Sequence, residues 1–133
     1  MSETKARVLS VGQCSPDHSQ ITRLLESVAG AGPDAADSAS TALEAARAGG
    51  YDLILVNRVF DATGESGLDL IAKLKEDAAT KGTPVMLVSN LTDAQEEAER
   101  RGALPGFGKA ALGATETEDL LRAVFSAGAS KTE

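Results

Sequence analysis

Short apolar runs alternate with amphipathic stretches along the whole 133-residue chain. "RVLSV" (7–11) reads as a β-type run. In "SPDHSQITRLLESVAG" (15–30), Ile21, Leu24, Leu25 and Val28 fall at i, i+3, i+4 and i+7, one apolar helix face. Ser15 is the expected N-cap, Pro16 suits the first helical position, Asp17 favours the dipole's positive end, and Gly30 and Gly32 stop the helix. A second strand is expected over 34–39, "DAADSA", where β-branched residues are lacking. "STALEAARAGG" (40–50) predicts an Ala-rich helix capped by Ser40 and ended by two glycines. "DLILVN" (52–57) is a continuous apolar run, as expected of a central parallel strand covered on both faces.

The second half repeats the alternation. "SGLDLIAKLKEDA" (66–78) places Leu68, Ile71 and Leu74 on one side of a helix, and "PVMLVSN" (84–90) is another buried strand. "TDAQEEAERRG" (92–102) predicts a capped, highly charged helix whose apolar content is mainly Ala94 and Ala98. "ALPGFG" (103–108) holds a short fifth strand or turn. "TETEDLLRAVFSAG" (115–128) is a last helix, with Thr115 and Glu118 placed for a capping box. Five βα units imply an α/β protein, a parallel sheet with helices on both faces joined by right-handed crossovers. One domain over 1–133 is expected, with a frayed tail at 128–133. Sites in such sheets lie outside the carboxyl ends of the strands. Those ends fall at Gly12–Ser15, Asn57–Ser66, Ser89–Leu91 and around Lys109.

Composition narrows the function classes. Net charge is −7, which disfavours nucleic acid and anionic membrane as partners. With three Phe, one Tyr and no Trp, the core must be aliphatic. The apolar runs are too short to span a bilayer, and "MSETKARVLSV" lacks the features of a signal peptide, so a cytoplasmic location is expected. A single cysteine excludes an internal disulfide and a Cys-based zinc site.

The segments "SPD", "YDLILVN", "SGLDLIAKLK", "TPVMLVSN" and "GALPGFGKA", in this order and spacing, resemble a response-regulator receiver domain of two-component signal transduction over nearly the whole chain. The resemblance implies a flavodoxin-like, doubly wound (βα)5 fold with strand order 2-1-3-4-5. Receivers hold Mg²⁺ with an acidic pair after strand one and accept a phosphoryl group on an aspartate ending strand three. A hydroxyl and a lysine complete the site. Aligned on Pro16, the acidic pair falls on Gln13 and Cys14, the phosphoacceptor on Asn57, the hydroxyl on Ser89 and the lysine on Lys109. All three carboxylates are replaced. Mg²⁺ demands hard oxygen ligands, and an amide is no activated nucleophile, so neither metal, cofactor nor aspartyl-phosphate cycle is expected. Instead, Asn57, Ser89 and Lys109 are expected to form a polar cluster in a degenerate pocket.

The loop from Asn57 to Gly67 spans ten residues, longer than the family's usual spacing, and "RVFDATGES" lacks its Met-Pro turn. Asp61 or Glu65 in this loop is an alternative, relocated phosphoacceptor or metal ligand. Gly106 falls on the aromatic switch position beside Phe107, and Ala110 where a proline is usual. "GALPGFGKA" is no P-loop, because Gly102 is one residue too far and Ala110 supplies no hydroxyl. Gly30 and Gly32 end a helix and form no dinucleotide fingerprint. Cys14 and His18, close in sequence at a helix start, offer a redox role as an alternative; packing for the cysteine and exposure for the histidine are the simpler expectation.

The chain ends soon after the fifth helix. The expected function is a stand-alone, atypical receiver, not an enzyme, that signals by phosphorylation-independent binding to a protein partner. By family resemblance the helix-four, strand-five, helix-five face would carry that contact, or a homodimer. The alternative is a small-ligand or redox sensor using the pocket around Gln13, Cys14, Asn57, Ser89 and Lys109.

Overall fold

The computed structural model describes residues 6–131, with side chains through residue 126. Its elements run β1 (Val8–Val11), α1 (Ser15–Ala29), β2 (Asp34–Ala36), α2 (Ala39–Ala48), β3 (Leu53–Asn57), α3 (Gly67–Glu76), β4 (Val85–Val88), α4 (Thr92–Arg100), β5 (Leu104–Phe107) and α5 (Thr115–Lys131). The five strands form one parallel sheet in the order β2-β1-β3-β4-β5, the expected doubly wound arrangement. The tail expected to fray over 128–133 concerns residues outside the fully described part.

Period-two alternation within the central strands separates two cores. Ile54 and Val56 point to one face, where Leu9, Val11, Leu70, Ile71, Leu74 and the alanines of α2 and α4 cover them. Leu53 and Leu55 point to the other, against Ile21, Leu24 and Leu25 of α1 and Leu121 of α5. β3 is therefore buried at every position, which is why its sequence shows no polar alternation before Asn57.

Several helix ends differ from expectation. α1 already begins at Ser15, so Cys14 is its N-cap and no side chain caps it. Pro16 takes the first turn and Gly30 closes the helix at φ 79°, the left-handed conformation glycine adopts without cost. α2 is capped by Ser38 rather than Ser40; its hydroxyl accepts from Thr41 N–H, and Thr41 Oγ1 accepts from Ser38 N–H in return. α4 follows Leu91 without a side-chain cap, contrary to expectation. In α5, the Glu118 N–H donates to the Ala114 carbonyl instead of joining a Thr115–Glu118 box. β2 is only three residues long, ending on buried Ala36; as an edge strand it needs to pair on one side only.

Candidate functional site

The carboxyl ends of β1, β3 and β4 converge on Asn57, which is only 6% exposed. Its Nδ2 donates to the Gly12 carbonyl at 2.9 Å and to the Val59 carbonyl at 2.8 Å. Both amide hydrogens are thus committed to backbone oxygens. Gly12 follows β1 directly at φ 75°, and a Cβ there would lie 2.3 Å from the Phe60 ring. Glycine at this position lets Phe60, 1% exposed, close over the end of β1.

The expected Asn57–Ser89–Lys109 cluster does not form. Lys109 instead pairs with Asp17 of α1, Nζ to Oδ2 at 2.8 Å. Ser89 turns its hydroxyl back to accept the Leu91 N–H at 3.1 Å, a local turn that precedes α4. The physical reason is charge: an ammonium gains more from a carboxylate than from a neutral amide oxygen. Asn90 fixes the lysine's segment, its Oδ1 accepting the Ala110 N–H at 3.0 Å, a donor that a proline at this position would lack. Gly12 and Asp17, to which the alignment on Pro16 gives no role in the pocket, are the residues that engage Asn57 and Lys109.

The Lys109 ammonium bonded to Asp17 holds its carboxyl below the usual carboxylate value, with a smaller lowering from the Cys14 thiol against the opposing effect of burial. A carboxyl depressed in the folded state stabilises the protein above its unfolded pKa, near 3.8, and loses that contribution as pH falls through the folded value. Asp17→Asn therefore lowers stability by roughly 1 kcal/mol at pH 7, since Lys109 keeps some solvent contact. The difference from wild type closes in strong acid. Denaturant melts of both proteins at pH 7 and below the folded pKa check this.

The long loop after β3 is an ordered, hairpin-like excursion. Val59 and Ser66 form an antiparallel bridge, Phe60 N–H donates to Glu65 O at 2.9 Å, and Gly67 N–H to Arg58 O at 2.7 Å. Glu65, a candidate relocated acid, does not point inward. Its Oε1 accepts the N–H of Ala39, the first residue of α2, at 3.0 Å and the Thr63 hydroxyl at 2.9 Å. Those two bonds, the backbone one first, hold its carboxyl below the ordinary range. Asp61 is exposed and engages the site through its backbone, its N–H donating to Gly12 O at 3.0 Å.

Across the sheet, α4 is tied down by a residue that periodicity does not flag. β5 carries one more residue than β4 between the pairs Met86–Leu104 and Val88–Phe107, and the ladder shifts there. Pro105 has no N–H to give. The Gly106 N–H goes to Gln95 Oε1 at 3.2 Å, while Gln95 Nε2 donates to Leu87 O at 2.9 Å, Ser89 O at 3.1 Å and Phe107 O at 3.4 Å. A Cβ at Gly106 would fall 2.2 Å from Leu87 O, so only glycine allows this bulge. Phe107 is buried in the α1/α5 core.

The donors at the sheet's mouth do not fit Mg²⁺. Gln13, Cys14 and Asn57 offer amides and a thiol, and Asp17 is held by Lys109. Among the described residues no three His, Cys, Asp or Glu side chains gather to hold a metal. Cys14 is half-buried beside Asp17. His18, expected in solvent, is also half-buried, because it lines a cleft between α1 and β2. Among the described residues no helix is long and apolar enough to cross a membrane.

No protein-family model matches the sequence, and no curated protein matches it either. Solved structures do resemble the fold. The signal receiver domain of a DNA-binding response regulator from Colwellia psychrerythraea has a TM-score of 0.76 at 19% identity, with 91% of this chain and 98% of that one covered. The chemotaxis response regulator CheY4 of Vibrio cholerae has a TM-score of 0.69 at 19% identity, covering 91% and 99%. A response regulator of Burkholderia pseudomallei, solved with a phosphorylated aspartic acid, a calcium ion and citrate, has a TM-score of 0.68 at 20% identity, covering 95% and 72%. The chain therefore has the receiver-domain fold.

Proposed function

We propose that this receiver-fold protein is an atypical signalling module that acts in the cytoplasm by binding another protein, without phosphoryl transfer. The observation that carries this reading is the commitment of both Asn57 amide hydrogens to the carbonyls of Gly12 and Val59. A residue so held is a structural tie between β1, β3 and the following loop. The lysine that would face a phosphoryl group is neutralised by Asp17. No side chain here has a catalytic role in this reading.

The face built from α4, β5 and α5 is the favoured contact surface, for a protein partner or a second copy. Leu104 on β5 and Leu91 before α4 are 38% and 51% exposed there. The Burkholderia neighbour, solved with a phosphorylated aspartic acid, sets the contrast.

Incubation with acetyl phosphate and Mg²⁺, followed by intact-mass measurement, is expected to leave the protein unmodified. An acid-stable or acyl-phosphate adduct that disappears in Asp61→Ala would replace this reading with a relocated phosphoacceptor. Protein capture that is specific and lost in Leu104→Asp supports the proposed face; capture indifferent to that change places the contact elsewhere.

A further inference from the structure

Buried polar side chains in this protein are generally bonded. Thr80 donates to Leu74 O at 2.6 Å, Thr117 to Ala111 O at 2.8 Å, and Asn57 to two carbonyls. Among the described residues, the buried side-chain atoms without a partner are Ser10 Oγ, Gln13 Nε2 and Gln13 Oε1. Both residues line one cleft of about 320 Å³ between the first turns of α1 and the β1–β2 edge. Ser10 is 1% exposed, so its hydroxyl is a fixed part of the cleft floor. Unpaired buried polar atoms are costly and rare, and their concentration in one concavity of small-molecule size marks a binding site.

The wall defines the ligand. His18 and Ser19 of α1 stand on one side, and Ala36 and Asp37 at the end of β2 on the other. The carboxylate of Asp37 and the absence of Lys or Arg from the lining disfavour an anion. Turned into the cleft from its sealed position, the Gln13 amide would offer an acceptor and a donor on one carbon, which a group with adjacent N–H and C=O matches in two parallel bonds. The Ser10 hydroxyl rotates to serve either sign. We infer that this cleft binds a small neutral molecule carrying a carboxamide or cyclic-imide edge, such as a nucleobase or a nicotinamide-type ring. Gln13 is the one residue the cleft shares with the degenerate pocket, and Asn57, Ser89 and Lys109 do not line it, so the inference stands whether or not the protein takes up phosphate.

The test uses the full chain with uracil, nicotinamide and, as the anionic control, inorganic phosphate, followed by amide NMR. Uracil or nicotinamide is expected to shift the Gln13 side-chain NH₂ and the Ser10 and Ala36 amides saturably, with phosphate leaving them still. Gln13→Leu and Ser10→Ala each weaken that binding roughly tenfold or more. Without ligand, Gln13→Leu is expected to melt at or above the wild-type temperature, because it removes two unsatisfied buried atoms. Absence of saturable shifts, shifts unchanged in Gln13→Leu, or a clearly lower melting temperature for that variant would overturn the inference. The last result would mean that water already satisfies the amide as part of the fold.

Discussion

Asn57→Asp is expected to destabilise the protein at neutral pH by roughly 3 kcal/mol or more, rather than to create a phosphoacceptor. The amide nitrogen donates to two carbonyl oxygens at 2.9 and 2.8 Å from a site 6% exposed. The substitution deletes both donors and turns a carboxylate oxygen toward two backbone acceptors, with Lys109 already engaged by Asp17. Burial and the facing carbonyls raise the pKa of the new carboxyl. Its protonated form can still donate one bond, so the penalty is smallest below the unfolded aspartate pKa of about 3.9. It grows as pH rises and saturates above the raised folded value. Denaturant titrations of both proteins at pH 4 and pH 7, with and without Mg²⁺, measure the effect. Wild-type stability of the variant at pH 7, or rescue by Mg²⁺, would show that the mouth of the sheet can still host a receiver-type carboxylate.

The second large effect belongs to Gln95. Truncation to alanine leaves the Gly106 N–H and the Leu87 carbonyl without their partner at a bulge that the ladder cannot close. Leaving such groups unpaired costs about 1–3 kcal/mol each when water cannot reach them, so a total loss of roughly 2–3 kcal/mol is expected at this half-buried site. Gln95→Glu keeps the acceptor for Gly106 but removes the donor from three carbonyls, and should be no better than alanine. Equilibrium unfolding gives the magnitude. Hydrogen exchange adds the location: faster exchange at Gly106 and through α4, with β1 and β3 unchanged, is the expected pattern. A uniform change across the sheet would mean that Gln95 acts through general packing.

The architecture could be read from the sequence because it rests on periodicity. "DLILVN" and "PVMLVSN" are apolar throughout for the reason seen in the structure, coverage of both faces by helices. The five βα units follow from that alternation, whereas the strand order was implied by the resemblance to receiver domains. Helix starts were harder, since the chain offers rival hydroxyls within one turn: Ser38, Ser40 and Thr41 stand together, and backbone geometry selects Ser38. The site was legible in its losses and not in its replacements. Missing carboxylates can be counted along a sequence. That Asp17 rather than Asn57 meets Lys109, or that Glu65 turns outward to α2, depends on side-chain directions set by tertiary packing. Gln95 gave no signal at all, because a glutamine on a charged helix looks like any solvated residue. The bulge at Pro105–Gly106 was the available clue: a proline in a strand announces carbonyls that need another donor.

Both margins of the sheet are unsuited to growth. On one side Pro105 and the bulge interrupt the row of amide groups that an incoming strand would need. On the other, β2 offers only three residues. A sixth strand, whether from a neighbouring copy or a foreign peptide, finds no template. Self-association of this protein would therefore proceed through side chains, such as those of the α4–β5–α5 face, which select the mate, and not by the indiscriminate backbone pairing that leads to fibres.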